Sequence, residues 1–172
     1  MAQVTSDAHS RHSVLRERIV EHVFIGEIQR WFWRNDRHDI EVLRSEFDAG
    51  GYDVVLSYGG ITRHVQLKTI VEGGRAAHVS IGLRLAAKPS GCVLWIVVTE
   101  DLDIAHYRWF GGPPGAPLPD ISEFPVTRHS KGNAQGEKSE RSEHRKVSKR
   151  HFRTLDRLDD VVAHLFGDMA DL

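Results

Sequence analysis

The fold is decided by residues 52–68, YDVVLSYGGITRHVQLK. Two runs rich in β-branched and aromatic residues, Tyr52–Tyr58 and Ile61–Ile70, flank the dipeptide Gly59-Gly60. Glycine adopts positive φ without steric cost, so this pattern predicts a β-hairpin with a two-residue turn. The preceding Asp48-Ala49-Gly50-Gly51 is predicted to be a turn as well.

The predicted hairpin brings polar side chains together. With its turn at the two glycines, Asp53 lies opposite Gln66, and the Cβ atoms of such a pair are about 5 Å apart. Side chains alternate along a strand, so His64, Gln66 and Lys68 share one face, with Lys68 diagonal to Asp53. An acid, an amide oxygen and an ammonium thus converge on an apolar sheet, which is costly unless they bind something.

A helix is predicted before the hairpin, from Ser13 as N-cap to about Arg34, because apolar residues recur at three- and four-residue spacings. Glu27 falls on the apolar stripe of this helix, where a charge is normally avoided. We therefore predict that Glu27 joins the polar group on the hairpin. Glu21, nearer the edge of the stripe, is the second choice.

The rest of the chain extends this pattern to a mixed sheet with flanking helices, an α/β (α+β) class. Further elements are predicted as a strand over Ile40–Phe47, a short helix over Ser80–Lys88, and strands over Gly91–Thr99 and Ile104–Phe110. The 172 residues are predicted to form a single domain. Its parts are a flexible leader at 1–12, a core at 14–110, an irregular and basic loop region at 111–153 and a C-terminal helix at 154–168.

Three motifs carry a resemblance to a known family: Gly26-Glu27, the stretch GYDVVL that begins at Gly51, and Val65-Gln66-Leu67-Lys68. Together they resemble the PD-(D/E)XK nuclease superfamily, which includes restriction endonucleases and Holliday-junction resolvases. The resemblance covers roughly residues 14–110 and implies a restriction endonuclease-like αβββαβ core.

The resemblance also implies roles for the residues. Asp53 would be the central ligand of a divalent metal, Mg²⁺ or alternatively Mn²⁺, and Glu27 would hold the metal directly or through water. Lys68 would activate the attacking water or stabilise charge on the phosphate. The chain departs from the family at Gln66, where an acid is usual; an amide oxygen can ligate a hard cation but brings no charge.

By resemblance, the expected function is a metal-dependent endonuclease that hydrolyses phosphodiester bonds, with DNA as substrate, in restriction, resolution or defence. Cutting both strands of a duplex would imply a homodimer. Two alternatives stay open. One is a nuclease-fold module that Gln66 has weakened catalytically and that binds nucleic acid or a protein partner. The other is an interaction protein without nuclease activity.

Charge is informative only locally. The net charge of −1 gives no general argument for nucleic acid, but residues 128–153 hold nine Lys or Arg against three Glu. Such a segment attracts phosphates, although similar runs are commonly solvated surfaces. The predicted nucleic-acid contacts are His64, Arg145, Lys146, Lys149 and Arg150.

The expected location is the cytoplasm. A single cysteine excludes an internal disulfide and any multi-cysteine zinc site. The N-terminal residues lack the pattern of a signal peptide. The longest apolar run, Cys92–Val98, is too short to span a bilayer, so no membrane association is expected.

Overall fold

The predicted two-residue turn is present and sets the register of the hairpin. In the computed structural model, which describes His9 and residues 11–47, 50–128 and 140–168, Gly59 and Gly60 have φ values of 55° and 77°. The two strands are antiparallel, with Val54 opposite Val65. This is the register that the sequence predicts.

Three helices and nine strands are present in the described residues. In chain order they are α1 (Ser13–Arg34), β1 (Glu41–Arg44), β2 (Val54–Tyr58), β3 (Ile61–Val71), β4 (His78–Gly82), α2 (Leu83–Ala86), β5 (Gly91–Val98), β6 (Ile104–Gly111), β7 (Val126–Arg128), β8 (Glu140–Ser148), β9 (Arg153–Leu155) and α3 (Leu158–Phe166). A 3₁₀ turn, Lys149–His151, joins β8 to β9.

The strands form a six-stranded sheet in the order β1-β2-β3-β5-β6-β9 and a three-stranded sheet in the order β4-β8-β7. Strands β1, β2 and β3 are an antiparallel meander. The chain then crosses over so that β5 pairs parallel to β3, whereas β6 and β9 are antiparallel to their neighbours. The fold is therefore of the mixed α/β class that the sequence predicts.

The six-stranded sheet separates two hydrophobic clusters. The first cluster lies between the sheet and helices α1 and α3, and the helix residues Val20, Phe24, Ile28 and Phe32 are fully buried in it. The second cluster lies on the other face, where α2 and the three-stranded sheet cover Val93, Trp95 and Phe110. Each face of the sheet is thus packed, which explains why β5 is buried along its whole length.

Several predicted boundaries were wrong, mostly because distant strands pair. The segment predicted as a helix over Ser80–Lys88 begins as strand β4, and only Leu83–Ala86 is helical. Strand β4 pairs with β8, placing Val79 opposite Val147. The region predicted to be an irregular loop therefore contains β7 and β8, although residues 129–139 lie outside the described part.

The ends of the chain also differ from the predictions. The N-cap of α1 is His12 rather than Ser13, and it makes no side-chain capping bond. The C-terminal helix starts at Leu158, because Arg153–Leu155 pairs with β6 as strand β9. The predicted leader at 1–12 lies largely outside the described residues. No helix in the described part is long and apolar enough to cross a membrane.

Candidate functional site

Asp53 is fixed immediately before β2 by two bonds to β3. Its backbone N–H donates to the Val65 carbonyl at 2.9 Å, and its Oδ2 accepts a bond from the Leu67 N–H at 2.7 Å. The approach to Asp53 depends on Gly51, whose φ is 75° and where a Cβ would lie 3.2 Å from the Leu85 nitrogen. The glycine turn and the hairpin together hold the Asp53 carboxylate at the open end of β2.

A cleft of about 260 Å³ opens at this point. Strand β2 pairs with β3 only as far as Val65, so in the described chain the rest of β3 has no strand partner on that side. The N-terminal half of α1 covers the gap. The residues that line this opening, which we call the α1–β3 cleft, are Val14, Glu17, Arg18, Glu21, Asp53, Leu67, Lys68, Thr69 and Ile96. Two of the predicted site residues, Asp53 and Lys68, thus line one cleft.

The acid that α1 contributes to the cleft is Glu21, the second choice of the sequence analysis. Only 8% of its side chain is exposed. Its Oε1 lies 2.6 Å from Arg44 Nη2 and its Oε2 lies 2.9 Å from Arg18 Nη1. Two guanidinium groups thus compensate one buried carboxylate beside the cleft.

Glu27 does not line the cleft, and the prediction that its carboxylate joins the hairpin group needs correction. Its side chain is 36% exposed and pairs with Arg30. At about 100° per residue, Glu21 lies about 40° from the centre of the buried stripe of α1 and Glu27 about 80° away. Glu27 instead faces Tyr107, where burial and then the nearby Glu27 charge raise the tyrosine pKa to about 12.

Gln66 lies next to the cleft without lining it. It is 6% exposed, and its Oε1 has no hydrogen-bond partner in the described part of the chain. Its neighbour on β5 is Val93, of the second cluster. An unsatisfied buried acceptor costs about 1–3 kcal/mol. This amide oxygen is therefore suited to receive a ligand or a water molecule.

His64 lies on the same face of β3, farther from the cleft. Its ring packs edge-on against Tyr52 with centroids 5.0 Å apart, and its Nδ1 is buried without a partner among the described residues. Burial and then the charge of Lys88 lower the pKa of His64. Its predicted contact with substrate stays a prediction.

The four basic residues predicted to contact nucleic acid occupy two environments. Arg145 of β8 is engaged by the protein itself, since its guanidinium donates to the carbonyls of Ser122, Ser142 and His144. Lys146, Lys149 and Arg150 are exposed. They lie with the three-stranded sheet and the 3₁₀ turn, on the face away from α1.

Comparison with known families, with curated proteins and with solved structures finds no match for this chain. The site must therefore be interpreted from its own geometry.

Several residues of the site were missed by the sequence analysis. Arg18 and Arg44 hold Glu21, and Thr69 lines the cleft. The contact between Arg18 and Glu21 could have been predicted from the sequence, because residues three apart on a helix are neighbours. The contact between Arg44 and Glu21 could not, since it depends on how the sheet packs on α1.

Proposed function

We propose that the protein is a divalent-metal-dependent nuclease whose site is the α1–β3 cleft. One observation carries the proposal: Asp53, Lys68 and the buried acid Glu21 line a single cleft at the open end of a hairpin. The proposal keeps the resemblance to PD-(D/E)XK nucleases and its αβββαβ core. It replaces Glu27 with Glu21 as the acid from the helix.

The available ligands fit a weak site for a hard cation. Mg²⁺ binds oxygen ligands and retains several waters, so one or two carboxylates suffice. Asp53 and Glu21 line the cleft and would provide the carboxylates, whereas the unpartnered Oε1 of Gln66 lies beside the cleft and would be a ligand only if its side chain turned into it. The described residues include no group of three or more His, Cys, Asp or Glu placed to hold a metal, so the amide would have to complete the set.

The protein groups have distinct tasks in phosphodiester hydrolysis. A bound metal would supply a Lewis acid that neutralises charge on the phosphate. Asp53 is oriented in advance by the Leu67 N–H, so little reorganisation is needed for it to act as a ligand. Lys68 lines the same cleft, and its ammonium would orient a water or stabilise charge that develops on a phosphate bound there.

The arginine pair around Glu21 favours a second candidate, a nuclease fold that binds nucleic acid without cutting it. Glu21 reaches a metal only if Arg18 or Arg44 releases it, and Gln66 adds no negative charge. While Arg18 and Arg44 hold Glu21, Glu21 binds no metal, and Arg18 offers the cleft a cation for a phosphate oxygen, because guanidinium pairs well with phosphate.

A cleavage screen tests the proposal. Supercoiled, linear, branched and single-stranded DNA, together with single-stranded RNA, would be incubated with the protein and Mg²⁺ or Mn²⁺. We expect metal-dependent cleavage that falls by about 10²-fold or more in Asp53→Asn and in Lys68→Ala.

Asp39→Asn is the matched control, because Asp39 is exposed and does not line the cleft. Equal activity of all three variants, from purified preparations, would rule out this site. Metal-independent binding without cleavage would select the second candidate.

A further inference from the structure

A second cleft lies on the face of the sheet that carries the second cluster. It has a volume of about 430 Å³. We call it the basic cleft, and its lining residues are Gly74, Arg75, Ala76, Ala77, Arg108, Ser148, Lys149, Arg150 and Thr154. Four of the nine are cations, and none of these described residues is acidic.

The four cations of the basic cleft are not ion-paired with any described residue. Within the described chain none of Arg75, Arg108, Lys149 and Arg150 forms an ion pair, in contrast to Arg18, Arg30 and Arg44. The Arg108 guanidinium packs on the Trp95 ring, 5.1 Å from its centroid. Glu72 and Asp156 act electrostatically on His106, as do Arg108 and Lys149 of the cleft. Like charges gathered in a cleft raise the local concentration of anions.

The register of the sheet places the basic cleft in the same row of residues as Lys68 of the candidate site. Lys68 is paired with Trp95, Trp95 with Arg108, and Arg108 with Thr154. Directly paired residues project from the same face of a sheet, and neighbouring strands are about 4.8 Å apart. Lys68 and Arg108 are therefore about 10 Å apart in one row of the sheet.

On its other side the basic cleft continues into a groove that combines cations with an aromatic ring. The groove shares Ala77, Ser148 and Arg150 with the basic cleft. It adds Lys146, His78 and Phe124, together with Glu123, and the Phe124 ring lies 4.9 Å from that of His151. Cationic grooves with aromatic rings bind single-stranded nucleic acids, whose phosphates meet the cations while bases stack on the rings.

We propose that the basic cleft binds the phosphate backbone of a single nucleic-acid strand and leads it towards Lys68. The choice of nucleic acid rests on the proposed function. The cleft assigns a binding role to Arg75 and Arg108, which sequence reasoning missed. It also removes Arg145 from the predicted contacts, because that side chain is bound within the protein.

Fluorescence anisotropy in EDTA, without divalent metal, tests the proposal separately from catalysis. A labelled single-stranded oligonucleotide and a duplex of the same sequence would be titrated over a salt series. The variants are Arg75→Gln/Arg150→Gln and the charge-matched control Arg30→Gln/Arg34→Gln. All four side chains are exposed, and the control pair lies on α1, on the opposite face.

We expect the single strand to bind more tightly than the duplex. For the single strand, the slope of log K against log salt should become shallower by about 1.4 in the basic-cleft variant, from about 0.7 per lost contact. The control should keep the wild-type slope. Circular dichroism would verify that both double variants are folded.

An unchanged slope in Arg75→Gln/Arg150→Gln, an equal change in the control, or equal affinity for the duplex would each overturn the proposal. The outcome is distinct from that of the cleavage screen. Cleavage with an unchanged slope would reject the basic cleft alone. A shallower slope without cleavage would reject the nuclease and leave the basic cleft in place.

Discussion

Strand β3 carries two buried polar side chains, Arg63 and Gln66, that are satisfied to very different degrees. Arg63 is fully buried, and it donates five hydrogen bonds, to the carbonyls of Leu165, His164, Gly112 and Ala116 and to Ser90 Oγ. A guanidinium has five N–H donors, so the network is complete. Gln66 is almost as buried, yet its Oε1 has no partner in the described chain.

The difference distinguishes a polar group that stabilises the fold from one that is available to a ligand. Arg63 joins β3 to the last turn of α3, where the backbone carbonyls lack partners within the helix. All the N–H donors of Arg63 are thus used within the protein. At the Gln66 end, β2 stops, a cleft opens, and Asp53, Glu21 and Lys68 line it. We therefore expect changes at Arg63 to alter stability and changes around the cleft to alter function.

The largest expected effect comes from Arg63→Met. The substitution keeps an unbranched side chain but removes every donor, leaving buried carbonyls without partners. We expect the free energy of unfolding to fall by about 3–5 kcal/mol, with unchanged activity per folded molecule. Urea denaturation measures the loss, and Arg34→Met, at an exposed position, serves as the control. A loss below about 1 kcal/mol would mean that the network contributes little, as is usual for exposed pairs.

The next largest effect is a difference in cleavage rate between variants of two acids of α1, Glu21 and Glu27. Glu21→Gln removes the buried carboxylate of the cleft, so metal-dependent cleavage should fall by about 10²-fold if this acid is a preorganised partner of the reaction. Glu27→Gln should change the rate by less than about threefold, because its exposed pair with Arg30 contributes little. Initial cleavage rates at saturating Mn²⁺ would be measured for both variants and the wild type. The reverse ranking would restore Glu27 to the site.

A smaller effect is expected at Gln66. Gln66→Leu removes the unpartnered oxygen at similar volume, and we expect the protein to become more stable by about 1 kcal/mol. The same variant should need a higher Mg²⁺ concentration for half-maximal cleavage, and Gln66→Glu a lower one. Thermal unfolding and a Mg²⁺ titration measure the two quantities. A variant that is less stable and equally active would show that Gln66 packs the core and binds nothing.

The smallest effect is the pH dependence of stability. Burial lowers the pKa of His64 and of His106 below the ordinary value of 6.5. The unfolded chain therefore takes up protons at these residues before the folded chain does, and stability falls as the pH drops below about 6.5. Replacing His64 with Gln should reduce this loss between pH 6.5 and 5. A steeper loss in the variant would mean that His64 is protonated in the folded protein.

Much of the fold followed from local sequence signals. Gly59-Gly60 specified the turn, and the turn specified the register that faces Asp53 towards β3. The position of Lys68 followed from the same register. These features depend on residues close together in the chain, so no knowledge of the tertiary packing was needed.

The features that could not be predicted depend on contacts between residues far apart in the chain. Strand β8 has a mostly charged sequence, and its pairing with β4 and β7 makes it a strand. No role could be predicted for Arg63, because its carbonyl acceptors lie about 50 to 100 positions along the chain. The choice between Glu21 and Glu27 required the angle at which α1 packs on the sheet, which the hydrophobic pattern gave only approximately.

The most direct test of the central claim is a measurement of metal binding that does not depend on activity. Isothermal titration calorimetry with Mn²⁺ would compare the wild-type protein with Asp53→Ala and with Asp39→Ala as the control. We expect one Mn²⁺ per chain in the wild type and in the control, and at least about tenfold weaker binding in Asp53→Ala, as is found when a metal site loses a supporting group. No binding at millimolar Mn²⁺, or equal affinity in all three proteins, would contradict the assignment of the α1–β3 cleft as a metal-dependent site.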